Sequence, residues 1–269
     1  MNSPTHRATN EMFFQLVALL LSVIIIHTIY VTVVRPNADS TIRRHAEMAA
    51  AGEEYVVPRS FFIVVKDIEQ ESCFILMFWA LAIMGYKTRT SMREKHMLEL
   101  PLMSIAEGSR VLPDDASQLA RPLQALPDEQ RSYLLPRALQ TALTRFQVTD
   151  SVQFATEAVT HVCDTENDRL DSELSMVRYI TWAIPSIGFI GTVRGIGAAL
   201  GQAHEAMEGN IAGVTSSLGV AFNSTFIALL ISMVVMFFMH QLQLIQERLV
   251  LDSQAYCENK LLRFLKAAK

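Results

Sequence analysis

The chain of 269 residues is 51% hydrophobic and only 19% charged, and its mean hydropathy of +0.25 is high for a water-soluble domain. A net charge of −4 and an isoelectric point near 6.0 exclude the basic surface that nucleic-acid binding requires, so no nucleic-acid partner is expected. The three cysteines lie far apart, lack the spacing of a metal site and are expected to be ordinary apolar residues: Cys73, Cys163 and Cys257.

Long apolar runs predict an all-α integral membrane protein with four transmembrane helices. The runs are 13–34, 72–86, 179–200 and 211–239. The first contains no Asp, Glu, Lys or Arg and exceeds the about 20 residues that cross a bilayer. The second is short for a span and is expected to be extended upstream through 60–65, while the third is interrupted only by Arg194.

Basic residues cluster after the second and fourth runs, whereas the connection 201–210 has no Lys or Arg. The positive-inside rule therefore places both termini in the cytoplasm and 201–210 outside. The loop 35–71 also lies outside in this topology, although it carries five Lys or Arg residues. The predicted parts are an N-terminal membrane hairpin with an outer loop, a cytoplasmic helical insert, a second membrane hairpin and a cytoplasmic C-terminal helix, at residues 1–87, 88–177, 178–240 and 241–269.

Prolines are expected to divide the first part of the insert into short helices. They are Pro113, Pro122, Pro127 and Pro136. The segment 137–178 has no Pro or Gly, which predicts long helices that lead into the third span. The acidic segment 164–174 is interpreted as a solvated helical face, and no metal site is expected. No Pro or Gly follows position 220, so the fourth helix is expected to continue out of the membrane as an amphipathic helix.

Small residues recur along the third and fourth spans at helical spacing. In lipid such residues let helix backbones approach closely. The candidates for helix packing are Pro185, Gly188, Gly191, Gly195, Gly197 and Gly201 in the third span and Ser217, Ala221, Ala228 and Ser232 in the fourth. Thr225 continues the second stripe, with Asn223 and Ser224 beside it. Such a polar stripe is explained by a pore wall or by a packed partner helix.

The four predicted spans contain no Asp or Glu, and the titratable groups inside them are His27 and Arg194. Either nothing is transported, or a partner supplies the acidic group. The glycines at 195 and 197 lack the third glycine and the preceding strand of a nucleotide-binding loop. No catalytic triad, P-loop or HExxH motif occurs, so neither an enzyme nor a cofactor is expected.

Residues 185–196, PSIGFIGTVRGI, resemble the hallmark segment of the MotA/TolQ/ExbB family of ion-channel subunits, Pro-x-x-Gly-x-x-Gly-Thr-Val-Trp-Gly-Ile. Arg194 stands where tryptophan is usual. The segment Thr225-Phe-Ile-Ala228-Leu229 is similar to the Thr-x-x-Gly-Leu of the family's last span, with alanine in place of glycine. The motif match covers 183–232, and the rest of the resemblance is in the layout of spans and insert.

The resemblance implies a homopentamer around two copies of a single-span MotB/TolR/ExbD-like partner whose membrane helix carries an aspartate. Ions, with protons favoured over sodium, would pass Thr192 and Thr225, flanked by Asn223 and Ser224, and their flow would drive mechanical work. The implied location is the bacterial inner membrane, with 178–240 as the channel-forming hairpin. The alternatives are a passive membrane scaffold or sensor whose insert signals, and a secondary transporter, which would lack a charged substrate site.

Arg194 has two interpretations. It lies 15 residues beyond Tyr179, or roughly 22 Å along a helix, which places it toward the outer leaflet. A long side chain there can extend to the outer membrane surface. Alternatively, it faces the pore mouth, where it meets the acidic group of the partner or repels cations.

Overall fold

The computed structural model describes residues 4–50, 60–106, 108–209 and 211–266, and within these ranges it contains helices and one isolated bridge between Val111 and Leu265. The α-helices are α1 (Pro4–Ile29), α2 (Arg35–Ala50), α3 (Phe61–Val65), α4 (Ile68–His96), α5 (Ala116–Gln124), α6 (Asp128–Arg131), α7 (Leu134–Thr149), α8 (Val152–Glu173), α9 (Ser175–Gly201), α10 (Ala203–Met207) and α11 (Ala212–Lys260). The all-α architecture predicted from the sequence is confirmed.

Four helical segments in the described part of the chain are long and apolar enough to cross a membrane. They are Glu11–Arg44, Ile68–Glu99, Val152–Gly201 and Ala212–Phe264. Each contains one of the four apolar runs, apart from Ile211 at the start of the fourth, so the prediction of a multi-span helical protein is confirmed. The fourth helix, α11, continues without a break from Ala212 to Lys260, and the absence of Pro and Gly after position 220 predicts its continuation beyond the apolar run.

The first membrane helix continues beyond its apolar run. A π-helical turn at Tyr30–Val34 joins α1 to α2, and the chain stays helical to Ala50. The predicted loop 35–71 is therefore largely helical in its first part, because nothing between 35 and 50 except Pro36 interrupts helix-forming residues. Residues 51–59, which include one of the basic residues of that loop, lie outside the described part.

The second membrane helix starts earlier than its apolar run. Residues 61–65 do not extend it but form the separate helix α3, and α4 begins at Ile68, with Glu69 and Glu71 in its first turn. The helix that contains the second apolar run therefore begins with two acidic residues that the apolar run did not include. Acidic side chains favour the first turn of a helix because they complement its dipole, so the helix begins before the apolar residues do.

The described residues form two compact units. Within the described part of the chain, the insert unit comprises the residues of 4–7, 85–175 and 240–266, and the membrane unit comprises those of 8–84 and 176–239. In the insert unit, α5, α7, α8 and the end of α11 surround an apolar core that includes Leu139 and Phe146, both fully shielded from solvent. Such a core is what holds a helical unit together in water.

Local residue choices define the helices of the insert unit. Pro113 and Pro127 stand at helix starts and Pro136 in the first turn of α7, but Pro122 lies inside α5 and does not end it, contrary to the sequence prediction. Asp150, in the left-handed conformation with φ of 47°, separates α7 from α8.

The acidic segment 164–174 is not entirely solvated, contrary to the sequence interpretation. Glu166 is 2% exposed, and its carboxylate lies 2.6 Å from a guanidinium nitrogen of Arg137 and 2.5 Å from one of Arg169. Burying a carboxylate is unfavourable unless it is paired, and two arginines provide that pairing. No group of residues in the described segments has the composition of a metal site.

Candidate functional site

Three glycines on α9 allow α11 to approach within the membrane unit. A Cβ added at Gly188 would lie 2.5 Å from Cβ of Ala228, and one at Gly195 would lie 2.6 Å from the backbone nitrogen of Ala221. At Gly191 an added Cβ would lie 2.6 Å from the hydroxyl of Ser224. Real Cβ atoms are not found this close to other atoms, so each glycine fits because it has no side chain.

Some of the other residues predicted for helix packing contact a neighbouring part of the chain, and others do not. Ser232 donates a hydrogen bond to the carbonyl of Thr181 on α9, at 3.2 Å, and Ser217 lies 3.3 Å from the side-chain oxygen of Gln202. Pro185 is half-buried inside α9. A Cβ at Gly197 or Gly201, in contrast, would meet no atom within 4 Å. These two residues therefore do not pack against this chain, and a role in contacts between subunits stays a prediction.

Thr192 and Thr225 meet between the close contacts that Gly188 and Gly195 make with α11. Their hydroxyl oxygens lie 2.5 Å apart, and both side chains are half-buried. The Thr192 hydroxyl also lies 3.0 Å from the carbonyl of Ala221, and the Thr225 hydroxyl 3.1 Å from the carbonyl of Gly188. Each hydroxyl carries one proton and can accept another. The pair can therefore exchange hydrogen-bond directions, with either threonine donating to the other.

Of the two residues that flank Thr225, the structure brings one to the pair. Ser224 is 1% exposed, packs against Gly191 and accepts a hydrogen bond of 3.4 Å from the side-chain amide of Gln70 on α4. Asn223 is half-buried but lies about 200° around the helix from Thr225. Asn223 therefore does not share the face of α11 that carries the threonine.

The first turn of α4 contacts all three other membrane helices through consecutive residues. Glu69 pairs with Arg194 on α9, and Gln70 contacts α11. The carboxylate of Glu71 lies 2.6 Å from both His27 and Arg35, on the first membrane helix. All three side chains of this turn are nearly or fully buried. We call residues 69–71 the polar clamp, because one helical turn connects the four spans through polar contacts.

Arg194 makes a two-pronged contact with the polar clamp. Its Nε lies 2.6 Å from one carboxylate oxygen of Glu69 and its terminal nitrogen 2.7 Å from the other, a geometry that suits the planar guanidinium. The carboxylate of Asp67 is 3.8 Å away. Burial raises the pKa of the Asp67 carboxyl, although Lys66 and Arg194 act in the opposite direction. Arg194 thus has an acidic partner within its own chain, which neither sequence interpretation included.

Sequence reasoning missed the acidic residues of this site because it began the second span at Ser72. Two signals were available to find them. Glu69 and Glu71 directly precede an apolar run, which is a typical helix start, and Arg194 is a charge inside a span, which needs a partner.

A family model matches residues 119–255, which is just over half of the chain, and its description is the MotA/TolQ/ExbB proton channel family. The chain belongs to the MotA/TolQ/ExbB proton channel family. No curated protein and no solved structure matches the chain. Membership, together with four apolar helices, identifies a multi-pass membrane protein with a function of the proton-channel or motor type.

The residues of the site divide between the part of the chain that matches the MotA/TolQ/ExbB family and the part that does not. Thr192, Arg194 and Thr225 lie inside the matched segment, whereas the polar clamp lies before it. The threonine pair is therefore in the region through which the family is defined.

Proposed function

We propose that this chain is the channel-forming subunit of a proton-driven motor and that the pair of Thr192 and Thr225 lies on its ion path. The observation that carries the proposal is the 2.5 Å contact between the two hydroxyls in the segment that matches the family. Hydroxyls that can donate or accept provide what a proton or a hydrated cation needs along an otherwise apolar helix pair. Ser224 supports the same wall, whereas a direct role for Asn223 has less support from its position.

In this proposal the chain forms a homopentamer around two copies of a single-span partner that contributes an aspartate. The polar clamp does not replace that aspartate, because both of its carboxylates are already paired with basic side chains. The proposed location is the bacterial inner membrane, with both termini and residues 88–177 and 241–269 in the cytoplasm. The open surfaces at Gly197 and Gly201 are proposed as contacts with neighbouring subunits.

Substitution of the threonines tests the ion path. Thr192→Val and Thr225→Val keep the side-chain shape but remove the hydroxyl, so each is expected to abolish proton flux and the driven activity while assembly is retained. Thr215→Val is the matched control, because Thr215 lies on the same helix α11, is exposed, and its hydroxyl donates to the carbonyl of Ile211 on its own side of the helix pair. If vesicles that contain either variant chain still conduct protons at the unmodified rate, the threonine pair does not lie on the ion path.

The composition of the complex separates the motor from the alternative of a passive scaffold or sensor. The close packing of α9 against α11 would suit either, but a scaffold does not need two facing hydroxyls. We expect native mass spectrometry in mild detergent to give five copies of the chain with two of a single-span protein that has an aspartate in its membrane helix. A monomer, or an oligomer that lacks such a protein, would contradict the motor.

A further inference from the structure

Glu69 approaches α9 next to the threonine pair. A Cβ added at Gly191, the residue before Thr192, would lie 3.1 Å from Cγ of Glu69 and closer still to Cβ of Ser224, the residue before Thr225. Arg194 lies about 3 Å farther along α9 than Thr192 and about 200° around the helix from it, so it lies beyond the threonine pair toward the end of α9 and not on the same face. The side chain of Glu69 is 6% exposed, whereas that of Arg194 is 51% exposed. The buried carboxylate of Glu69 therefore holds the half-exposed guanidinium of Arg194 near the C-terminal end of α9, from which the chain continues to α11.

A guanidinium at this position opposes the passage of cations. Arginine stays protonated in proteins, so its charge cannot be removed by loss of a proton. A positive charge close to the ion path raises the energy of a cation that passes it. The paired carboxylate of Glu69 offsets most of this repulsion and also fixes the direction of the guanidinium.

We propose that Glu69 is a positioning residue for Arg194 and that the pair sets the charge at the entrance of the ion path. With Glu69 present the entrance is close to neutral, and cations reach the threonine pair. Without the carboxylate of Glu69, the more distant Asp67 offsets less of the positive charge of Arg194, and that charge opposes the entry of cations. This inference rests on the function proposed above, and it assigns the control of cation access to two residues of the same chain.

Asp67 is the other acidic group near Arg194 and provides a matched comparison. Its carboxylate lies 3.8 Å from the guanidinium, against 2.6 and 2.7 Å for the two oxygens of Glu69. Because it makes no two-pronged contact, Asp67 offsets less of the charge and does not orient the side chain. Removal of its charge is therefore expected to change cation access less than removal of the charge of Glu69.

The test measures proton flux in proteoliposomes that contain the full complex, with a pH-sensitive dye inside and a potassium diffusion potential across the membrane. Glu69→Gln is expected to lower the flux about tenfold. Asp67→Asn is expected to lower it about twofold or less. The double variant Glu69→Gln with Arg194→Gln is expected to recover the flux of the unmodified complex, because the entrance is neutral again.

A purely structural role would give a different pattern. If the pair only joins α4 to α9, the single and double variants lose flux equally and assemble less well, and the proposal fails. Equal flux in Glu69→Gln and the unmodified complex also overturns it. Should Glu69→Gln not assemble, Arg194→Gln alone decides, since flux at or above the unmodified level supports charge control and a lower flux in an intact complex contradicts it. An unmodified complex that conducts no protons would instead refute the motor function itself.

Discussion

The membrane unit exposes many more large apolar side chains than the insert unit does. In the insert unit the shielded side chains are mostly apolar, as with Leu139 and Phe146, which are fully buried. In the membrane unit Gln70 is fully buried, while Trp182 and Phe189 are 74% and 67% exposed on this chain. Water favours the first arrangement and lipid permits the second. The same kind of substitution is therefore expected to have a different effect on stability in the two units.

The largest effect is expected where a glycine permits helix contact in the membrane unit. Gly195→Leu should prevent α9 from packing against α11, because even a Cβ there would lie 2.6 Å from the backbone of Ala221. Limited proteolysis in mild detergent is expected to show rapid cleavage of the hairpin. Gly197→Leu is the control, since its surroundings within the chain are open. Equal sensitivity of the two variants would show that the close approach does not stabilise the hairpin.

In the insert unit a large effect requires the loss of an apolar side chain. Leu139→Ala should lower the stability of α7 and α8 by about 2–5 kcal/mol, because it leaves a cavity in a closely packed core. Hydrogen exchange of these helices in the full chain measures the change. Val148→Ala, at a position that is 77% exposed, should change stability by less than about 0.5 kcal/mol. Similar losses at both positions would contradict the assignment of the core.

Replacing an exposed apolar side chain with a charged one should be unfavourable where that side chain faces lipid and tolerated where it faces water. Ile190 in the membrane unit is 62% exposed, and Ile190→Asp should make insertion less favourable by about 2.5–3.5 kcal/mol. Val148→Asp in the insert unit should leave insertion unchanged, because its exposed side is expected to contact water. The fraction of chain that resists carbonate extraction measures both. An unchanged fraction for Ile190→Asp would place that face against protein or water.

The smallest of the expected effects compares two pairs of histidine and glutamate. In the membrane unit the carboxylate of Glu71 is 6% exposed and lies 2.6 Å from His27, whereas in the insert unit that of Glu99 is 74% exposed and lies 3.0 Å from His96. Glu71→Gln should lower stability by about 1–2 kcal/mol, because a charge-assisted hydrogen bond is lost at a buried site. Glu99→Gln should have almost no effect. Thermal unfolding in detergent measures both effects. Equal losses of stability in Glu71→Gln and Glu99→Gln would contradict this expectation.

The sequence was sufficient for features that depend on length and periodicity. The apolar runs identified the four long helices, and the absence of Pro and Gly beyond position 220 predicted the continuous helix α11. The spacing of Gly188, Gly191 and Gly195 indicated a face for close packing, which α11 occupies.

Contacts between distant residues could not be predicted in the same way. Glu69 and Arg194 are 125 positions apart, and a single sequence does not state which acidic residue meets which basic one. The start of α4 was misplaced because three polar or charged residues, 69–71, directly precede its apolar run, although helix dipoles favour acids there. Nothing in the segment Tyr30-Val-Thr-Val-Val34 distinguishes a π-helical turn from a regular one.

That π-helical turn determines which side chains can share one carboxylate. In a regular α-helix, side chains eight positions apart, such as His27 and Arg35, point about 80° away from each other. A π-helical turn takes up one additional residue, so these eight positions wind about as far as seven, and the two directions differ by about 20°. Both side chains thereby face Glu71. Removal of one residue from 31–33 would leave His27 and Arg35 seven positions apart in a regular helix, where their directions again differ by about 20°, so both contacts with Glu71 are expected to survive the loss of the π-helical turn.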